Sequence, residues 1–283
     1  MLNEGHRTRL PIALSIAGSD SGGGAGVQAD LKTFAALGVH GTTVITCLTA
    51  QNPAAVITTH AVPASFVLDQ LTTLWTELPP RAAKTGMLFN ASILRTVTDF
   101  WSAVKSPGGP AAKGRGRRPP LVVDPVMISS SGTRLLRADA VAELKNRLLP
   151  LAALVTPNLD ELGVLLDRST DELASVTELR NAARELYSRY GCAVLAKGGH
   201  LRKGTDATDI FWNGREELLL TAPRIRDVTT HGTGCTYAAA IVGYLALGCG
   251  LSHAVQLAKQ HVTQAIAQSL RIGRHLTLNP WWR

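Results

Sequence analysis

The chain has 283 residues, of which 45% are hydrophobic, and a formal net charge of +8, values that suit a globular protein with a sizeable core. The first residues lack the apolar core of a signal peptide, and the longest apolar run, residues 237–249, is too short to cross a bilayer. The four cysteines show neither a CxxC pair nor metal-ligand spacing with histidine. These features argue against a secreted or membrane protein and predict a cytoplasmic one with reduced thiols.

Much of the positive charge lies in one segment. Residues 105–118 carry five basic side chains and no acidic one, so the rest of the chain is only weakly basic. The glycines and prolines of residues 105–120 disfavour a helix or a central strand, and we expect a flexible basic surface loop there. Aromatic side chains that could stack on bases are absent from it, which argues against a nucleic-acid partner.

Short apolar runs alternate with longer amphipathic segments along the chain. Strands are predicted at residues 12–17, 39–48, 55–61, 82–85, 121–124, 152–156, 192–196, 206–212 and 216–222. Helices are predicted at residues 26–37, 63–78, 91–104, 138–148, 159–166, 176–190, 236–247 and 252–270. The alternation predicts a mostly parallel central sheet with helices on both faces, and the last two strands predict an added β-hairpin. Since no repeat or linker divides the chain, we expect a single domain over residues 1–283.

Polar motifs follow the ends of six predicted strands. In chain order these motifs lie at residues 18–20, 51–52, 86–87, 124, 158 and 197–199. Ligands of parallel sheets bind where the carboxyl ends of the strands meet. The shared position of the motifs therefore predicts one ligand site at this edge of the sheet.

The most informative motif is His-Gly-Thr-Gly-Cys at residues 231–235, directly before a predicted helix. A helix start presents unpaired backbone N–H groups at the positive end of the helix dipole, and glycine allows a phosphate to approach them. The motif predicts an anion hole for a phosphoryl group, with Cys235 in a field that favours its thiolate. Taken alone, the motif fits a helix N-cap with a buried cysteine equally well.

A glycine-rich loop, residues 18–26, joins the first predicted strand to the first helix. It has neither the dinucleotide spacing GxGxxG nor the lysine of a phosphate-binding P-loop, so it is an anion-compatible loop of another kind or a surface turn. Asp30, inside the following helix, could accept hydrogen bonds from a ligand amine. A solvated acid on the helix surface is the reading that the sequence favours for it.

Oxygen donors at two other strand ends suit a magnesium ion. Asn158 and Glu161 lie three residues apart, on one face of a helical turn, and Asp124 ends a buried strand. The alternative for the first two is a capping box, which the pair taken alone favours. Lys197 could place its ammonium near a nucleotide phosphate, and ordinary turn chemistry remains open for Lys197 and Asp124.

Together these motifs resemble the hydroxymethylpyrimidine/phosphomethylpyrimidine kinases of thiamine biosynthesis. The matching segments occur in order at residues 16–34, 49–52, 84–87, 124–127, 156–161, 197–200, 231–235 and 281–282. The resemblance implies a ribokinase-like fold, ATP and Mg²⁺ as cofactors, and a homodimer. It also implies two consecutive reactions, phosphorylation of the hydroxymethyl group of 4-amino-5-hydroxymethyl-2-methylpyrimidine and then of the resulting monophosphate.

The resemblance also implies roles for individual residues. The pyrimidine site would be lined by Gly18, Asp30, Gln51, Met87 and Val126, with the Gln51 amide bonded to the ring. Magnesium and its waters would be served by Asp124, Asn158 and Glu161. Nucleotide contacts would come from Asn158, Lys197 and Thr230. The anion hole would be formed by Gly232, Thr233, Gly234 and Cys235, with Cys235 as the catalytic residue.

Two features depart from the family pattern. Many members carry a lysine where this chain has Ser130, which weakens any phosphate anchor at that position. The basic segment from Lys105 to Arg118 has the character of an insertion. Neither departure touches the residues assigned to the chemistry.

Related sugar kinases are expected to use an aspartate where this chain has Cys235. We hypothesise that a thiol titrating near neutrality serves two acceptors better, because a fixed carboxylate would repel a substrate that is already phosphorylated. Two alternatives remain open, a pyridoxal or pyridoxine kinase of the same superfamily and a non-catalytic ligand-binding module. The presence of Asn158, Glu161 and Cys235 argues against the second.

Overall fold

A computed structural model describes residues 9–104, 118–128, 135–199, 201, 206–226, 228 and 231–282. Nine strands of these residues form one sheet in the order β3-β2-β1-β4-β5-β6-β7-β8-β9. Their bounds are β1 Ile12–Asp20, β2 His40–Asn52, β3 Ala55–Ala61, β4 Ala82–Thr85, β5 Leu121–Val123, β6 Leu154–Val155, β7 Ala193–Gly198, β8 Asp206–Trp212 and β9 Glu217–Pro223. The strands follow chain order in the sheet except at the start, where the chain runs from β1 outward to the edge strand β3 and then crosses back to place β4 beside β1.

The six central strands, from β2 to β7, run parallel, and the hairpins at both ends of the sheet pair antiparallel. The carboxyl ends of the parallel strands therefore meet at one edge, where the polar motifs lie. The predicted mostly parallel sheet and its added β8–β9 hairpin are confirmed. The strand boundaries differ from the predicted ones by a few residues, most at β2, which continues to Asn52.

Eight α-helices flank the sheet in the described residues. Their bounds are α1 Gly26–Ala36, α2 Ala64–Glu77, α3 Ala91–Ala103, α4 Ala138–Glu143, α5 Leu159–Leu166, α6 Val176–Tyr190, α7 Thr233–Ala246 and α8 Leu251–Ala267. None of the helices in this described part is long and apolar enough to cross a membrane.

Alternation along the buried strands divides the core into two layers. Leu14 of β1 and Val123 of β5 pack in the cluster that contains α2 to α6. Their neighbours Ala13 and Val122 pack on the other face, with α1, α7 and α8. Because successive side chains of a strand point to opposite faces, an apolar run in a parallel strand serves both layers at once. The predicted helices on both faces are confirmed.

Three local predictions were wrong. Helix α7 begins at Thr233 rather than at residue 236, so its first turn includes the glycine motif. The helix predicted over 138–148 ends at Glu143 and continues as a wider π-helical turn, Leu144–Leu148. The helix predicted to reach residue 270 ends at Ala267, and the chain forms a two-stranded hairpin, β10 Leu270–Ile272 and β11 His275–Thr277. Residues 105–117 of the predicted basic loop lie outside the described residues.

Candidate active site

The start of α7 depends on a glycine. Gly232 is the N-cap residue and has a φ of +82°, a conformation that residues with a Cβ rarely adopt. A Cβ at this position would also overlap the Gly24 carbonyl oxygen, so the glycine-rich loop and the α7 start lie in direct contact. The two glycine motifs, 213 residues of sequence apart at their first residues, thus form one surface.

No side chain caps the first turn of α7. The Thr233 hydroxyl oxygen is buried and has no hydrogen-bond partner among the described residues. Since buried polar atoms are normally paired, an unpartnered hydroxyl beside uncapped backbone N–H groups marks a position prepared for a ligand oxygen. The predicted anion hole is consistent with this geometry.

A lysine and an aspartate face this turn from the ends of two strands. Lys197 Nζ lies 3.1 Å from Asp124 Oδ1, and the Thr156 hydroxyl donates to the same oxygen at 3.0 Å. A Cβ added at Gly234 would lie 3.4 Å from Lys197 Nζ and 3.6 Å from Asp124 Oδ2. Burial opposes ionisation of Asp124, but the nearby lysine ammonium groups and its hydrogen bonds outweigh it and lower the pKa of this carboxyl.

Asn158 and Glu161 form the capping box that was the alternative reading of their spacing. The Glu161 N–H donates to the Asn158 side chain and the Asn158 N–H donates to Glu161 Oε2, both at 2.9 Å. Burial, together with repulsion by Asp124, raises the pKa of Glu161 to about 7 although Lys197 opposes the change. The two residues therefore have a structural role, and their position at the site leaves the predicted role toward magnesium open.

The oxygen donors fit Mg²⁺ only as a partial set. Within the described ranges, no group of three or more His, Cys, Asp or Glu side chains is arranged as a metal site. Mg²⁺ usually keeps several waters and takes one or two carboxylates plus substrate phosphates, so a partial set suffices. Besides burial, repulsion by Asp124 raises the Glu161 pKa. A bound divalent cation would relieve this repulsion.

A cavity of about 860 Å³ opens beside the α7 start. Its walls include Asn158, Glu161 and Lys197 from the strand ends and Thr233 and Gly234 from α7. The far wall comes from β8, β9 and α8 and includes an ion pair that the sequence analysis missed. Lys259 Nζ lies 2.8 Å from Asp209 Oδ2, and the Gly198 N–H donates to Asp209 Oδ1. Asp209, a charged residue in the middle of the predicted strand β8, was the available signal.

One carboxylate anchors the backbone of the glycine-rich loop. Asp20 accepts hydrogen bonds from the N–H groups of Gly22, Gly24 and Ala25, and its Oδ2 lies 3.1 Å from His231 Nε2. This carboxylate therefore joins the loop to the first residue of the α7 motif. Its role was not predicted, although its position between a strand and a glycine run is typical of a loop anchor.

The residues predicted to line the pyrimidine site have different surroundings in the structure. A Cβ at Gly18 would lie 2.7 Å from Cys47 Sγ and 3.4 Å from Met87 Sδ, so Gly18 packs directly against these two side chains. Gln51 Nε2 lies 3.4 Å from His231 Nε2, on the side of the α7 start. Val126 is half-buried after β5. Thr230, predicted to contact the nucleotide, lies outside the described residues.

Asp30 is neither a solvated acid nor accessible to a ligand. Its side chain is fully buried, accepts a hydrogen bond from the Ser15 hydroxyl at 2.5 Å and lies 2.9 and 3.0 Å from Lys84 Nζ. Both oxygens are thus occupied inside the protein. The predicted contact with a ligand amine is not available in this arrangement, because α1 turns the side chain into the sheet.

Cys235, the third residue of α7, is partly buried. Burial raises the pKa of this thiol to about 11, although the Lys84 ammonium acts in the opposite direction. The prediction that the position favours the thiolate, with titration near neutrality, was therefore wrong for the ligand-free protein. Desolvation outweighs the favourable effects of Lys84 and the Gly26 N–H here.

The family profile described as phosphomethylpyrimidine kinase matches residues 20–279. The chain belongs to this family. A hydroxymethylpyrimidine/phosphomethylpyrimidine kinase from Rhizobium meliloti is 44% identical over 278 residues, covering 96% of this chain and 98% of its own length. A bifunctional thiamine biosynthesis protein, ThiED from Geobacter sulfurreducens, is also 44% identical, and this chain spans about half of its length. Membership makes the chain a kinase and confirms the resemblance seen in the motifs.

Solved structures of two kinds share the fold. Phosphomethylpyrimidine kinase from Clostridium difficile aligns with a TM-score of 0.74 at 35% identity, over 90% of this chain and 99% of that one. Pyridoxal kinase from Staphylococcus aureus, in complex with AMP-PCP and pyridoxal, aligns with a TM-score of 0.82 at 30% identity, over 97% and 94%. The predicted ribokinase-like fold is confirmed.

Proposed function

We propose that this chain transfers the terminal phosphoryl group of ATP to 4-amino-5-hydroxymethyl-2-methylpyrimidine and then to the resulting monophosphate. The observation that carries the proposal is the first turn of α7, where the unpartnered Thr233 hydroxyl and uncapped N–H groups face Lys197 beside a cavity of about 860 Å³. A cavity of this size accommodates a nucleotide. The names of the relatives supply the acceptor class.

Both reactions follow one bond scheme. An acceptor oxygen attacks the terminal phosphorus, the bond from that phosphorus to the bridging oxygen breaks, and ADP leaves. The α7 N–H groups and the Lys197 ammonium stabilise the charge that develops on the transferred group. The first acceptor is a hydroxyl that must lose its proton, and we assign that proton to Cys235. The second acceptor is a phosphate oxygen that is already ionised, so it needs no base.

We also propose Mg²⁺ as the metal cofactor, held through Asp124 and Glu161 with their waters. When bound, the ion supplies positive charge to the phosphates. The residues themselves do the positioning. Asp124 is held by Thr156 and Lys197, and the Asn158–Glu161 capping box keeps the Glu161 carboxylate at the first turn of α5.

The direct test uses the purified chain with the pyrimidine alcohol or its monophosphate, ATP, and either Mg²⁺ or EDTA. Chromatography with mass spectrometry follows both pyrimidine products. The proposal expects the monophosphate to appear first, the diphosphate second, and neither in EDTA. Absence of both products from a folded, nucleotide-binding protein contradicts it.

One observation favours a second candidate, pyridoxal phosphorylation. The pyridoxal kinase of Staphylococcus aureus superposes with the higher of the two TM-scores, 0.82 against 0.74. The identities run the other way, 30% against 35%, so the pyrimidine remains the first choice. Side-by-side kcat/KM values for pyridoxal and the pyrimidine alcohol decide between them. If neither substrate leads to ADP release, the remaining alternative is a non-catalytic ligand-binding module.

The remaining proposals concern organisation. We propose one domain, because one sheet runs from β1 to β9 and both helix layers pack on it. A homodimer is supported by exposed apolar side chains near the β3 edge, such as Ile57 and Phe66. Light scattering coupled to gel filtration tests the dimer. A cytoplasmic location stays a prediction.

A further inference from the structure

Lys84 is a charged residue for which the proposed chemistry has no role. It lies in β4, two residues before Gly86, and its side chain is fully buried. Its ammonium contacts both carboxylate oxygens of Asp30, and the Asp30 charge keeps the pKa of Lys84 raised in spite of burial. Being sealed from solvent, it cannot touch ATP or the acceptor.

The Lys84–Asp30 pair lies close enough to Cys235, at the start of α7, for both charges to act on its thiol. Gly26 and Asp30 lie four residues apart on one face of α1, and the Gly26 N–H donates to the Cys235 sulfur. Helix α7, which carries Cys235, packs against both α1 and β4. Asp30 therefore lies about one turn along α1 from the residue whose N–H interacts with Cys235, and Lys84 approaches Asp30 from β4.

Stability alone does not account for such a pair. Two charges taken out of water recover little net free energy compared with apolar side chains of the same shape. Their field, by contrast, acts strongly on neighbours at low local dielectric. Cys235 is one of these neighbours, and Lys84 acts on it more strongly than Asp30 does.

We propose that Lys84 is a positioning residue for the first phosphorylation: its sealed ammonium stabilises negative charge on Cys235 and so determines how much of this thiol acts as a base. The inference rests on the proposed role of Cys235 in that step. Asp30 keeps the ammonium charged and oriented, which gives this residue a role without ligand contact.

Other charges also face Cys235 from the packed elements. Asp30 of α1 and Asp124 after β5 disfavour its thiolate, whereas Lys197 of β7 favours it together with Lys84. Lys197 is partly exposed and lies in the cavity wall, where a phosphate would draw its charge away. By contrast, a bound ligand cannot displace the field that Lys84 exerts on the Cys235 sulfur.

Alkylation of the ligand-free protein by iodoacetamide tests this without turnover. Peptide mass spectrometry measures the rate at Cys235 at a fixed pH of about 9, with the partly exposed Cys249 as the internal reference. Lys84→Met is expected to slow Cys235 about tenfold relative to Cys249, since one pKa unit is a tenfold change in thiolate. Lys84→Arg, which keeps the charge, is expected to stay within about twofold of the unmodified chain.

If Lys84→Met does not fold, the double variant Lys84→Met/Asp30→Asn takes its place, because it leaves no unpaired buried charge. Its Cys235 is also expected to react more slowly, by a few-fold, because Lys84 has the larger influence on the sulfur. An unchanged ratio of Cys235 to Cys249 alkylation in a folded Lys84→Met or double variant overturns the proposal.

In the kinase assay, Lys84→Met is expected to lower kcat for the alcohol about tenfold and to leave the monophosphate reaction within about twofold. Equal losses in both reactions also overturn it, whereas lack of all activity in the unmodified chain concerns the proposed function alone.

Discussion

Two lysine–aspartate pairs lie near the start of α7, and they differ in their access to solvent. The Lys84–Asp30 pair is fully buried, whereas Lys197 is 14% exposed in its pair with Asp124. The first pair has no route to a ligand and acts only through its field. The second opens into the cavity, so its lysine can exchange the carboxylate for a phosphate. The same chemistry thus serves positioning in one place and ligand contact in the other.

The largest effect is expected from breaking the open pair. Lys197→Met removes the cation that faces the transferred group, so we expect kcat to fall about 100- to 1000-fold in both phosphorylations. Steady-state kinetics with each acceptor measures it. Lys145→Met, which breaks a pair with the exposed Asp167, is the matched control and is expected to change kcat less than about twofold. A loss with one acceptor only contradicts a role at the shared phosphoryl group.

Removing one member of the sealed pair is expected to lower stability strongly, although the intact pair contributes little net stability. Lys84→Met leaves Asp30 buried without its counter-charge, and we expect the free energy of unfolding to fall by about 3–5 kcal/mol. Lys84→Met/Asp30→Leu replaces both charges with apolar groups and is expected to recover most of that loss. Urea denaturation followed by circular dichroism compares the variants. No recovery in the double variant would show that the pair is not the source of the loss.

The pH dependence of the two reactions sharpens the comparison further. Because the Cys235 pKa is raised to about 11, the thiolate is a minor species at neutral pH and increases as the pH rises. We expect kcat/KM for the alcohol, relative to that for the monophosphate, to rise up to about tenfold per pH unit between roughly pH 7.5 and 9.5. Taking the ratio cancels groups shared by both reactions, including Glu161. A ratio independent of pH would remove Cys235 as the base.

The smallest effect is expected at Gly234, between the open pair and the cavity. A Cβ there would make ordinary contacts with Lys197 Nζ and Asp124 Oδ2, so Gly234→Ala should fold and gain up to about 1 kcal/mol as a helical residue. It should also raise the KM for ATP about three- to tenfold, because the methyl group occupies space that a phosphate would approach. Thermal unfolding and ATP titration measure the two changes. An unchanged KM would place the phosphate elsewhere.

The sheet, the helices and the edge at which the motifs meet were predictable from the sequence pattern. Periodicity is a local property, so β4 and α5 have the predicted bounds, and the order of motifs identified the family. Less was predictable where local pattern is weak. The short β10–β11 hairpin has little periodicity of its own, and the wider turn after α4 follows from packing.

The roles of the charged residues follow from the folded structure and could not be predicted from local pattern. Burial and pairing depend on segments far apart in sequence, so Asp30 could not be distinguished from a surface acid until Lys84, 54 residues away, lay against it. The Cys235 thiol shows the same limit. The helix start was readable from two glycines, but the pKa of about 11 follows from desolvation by elements that the sequence does not place next to it.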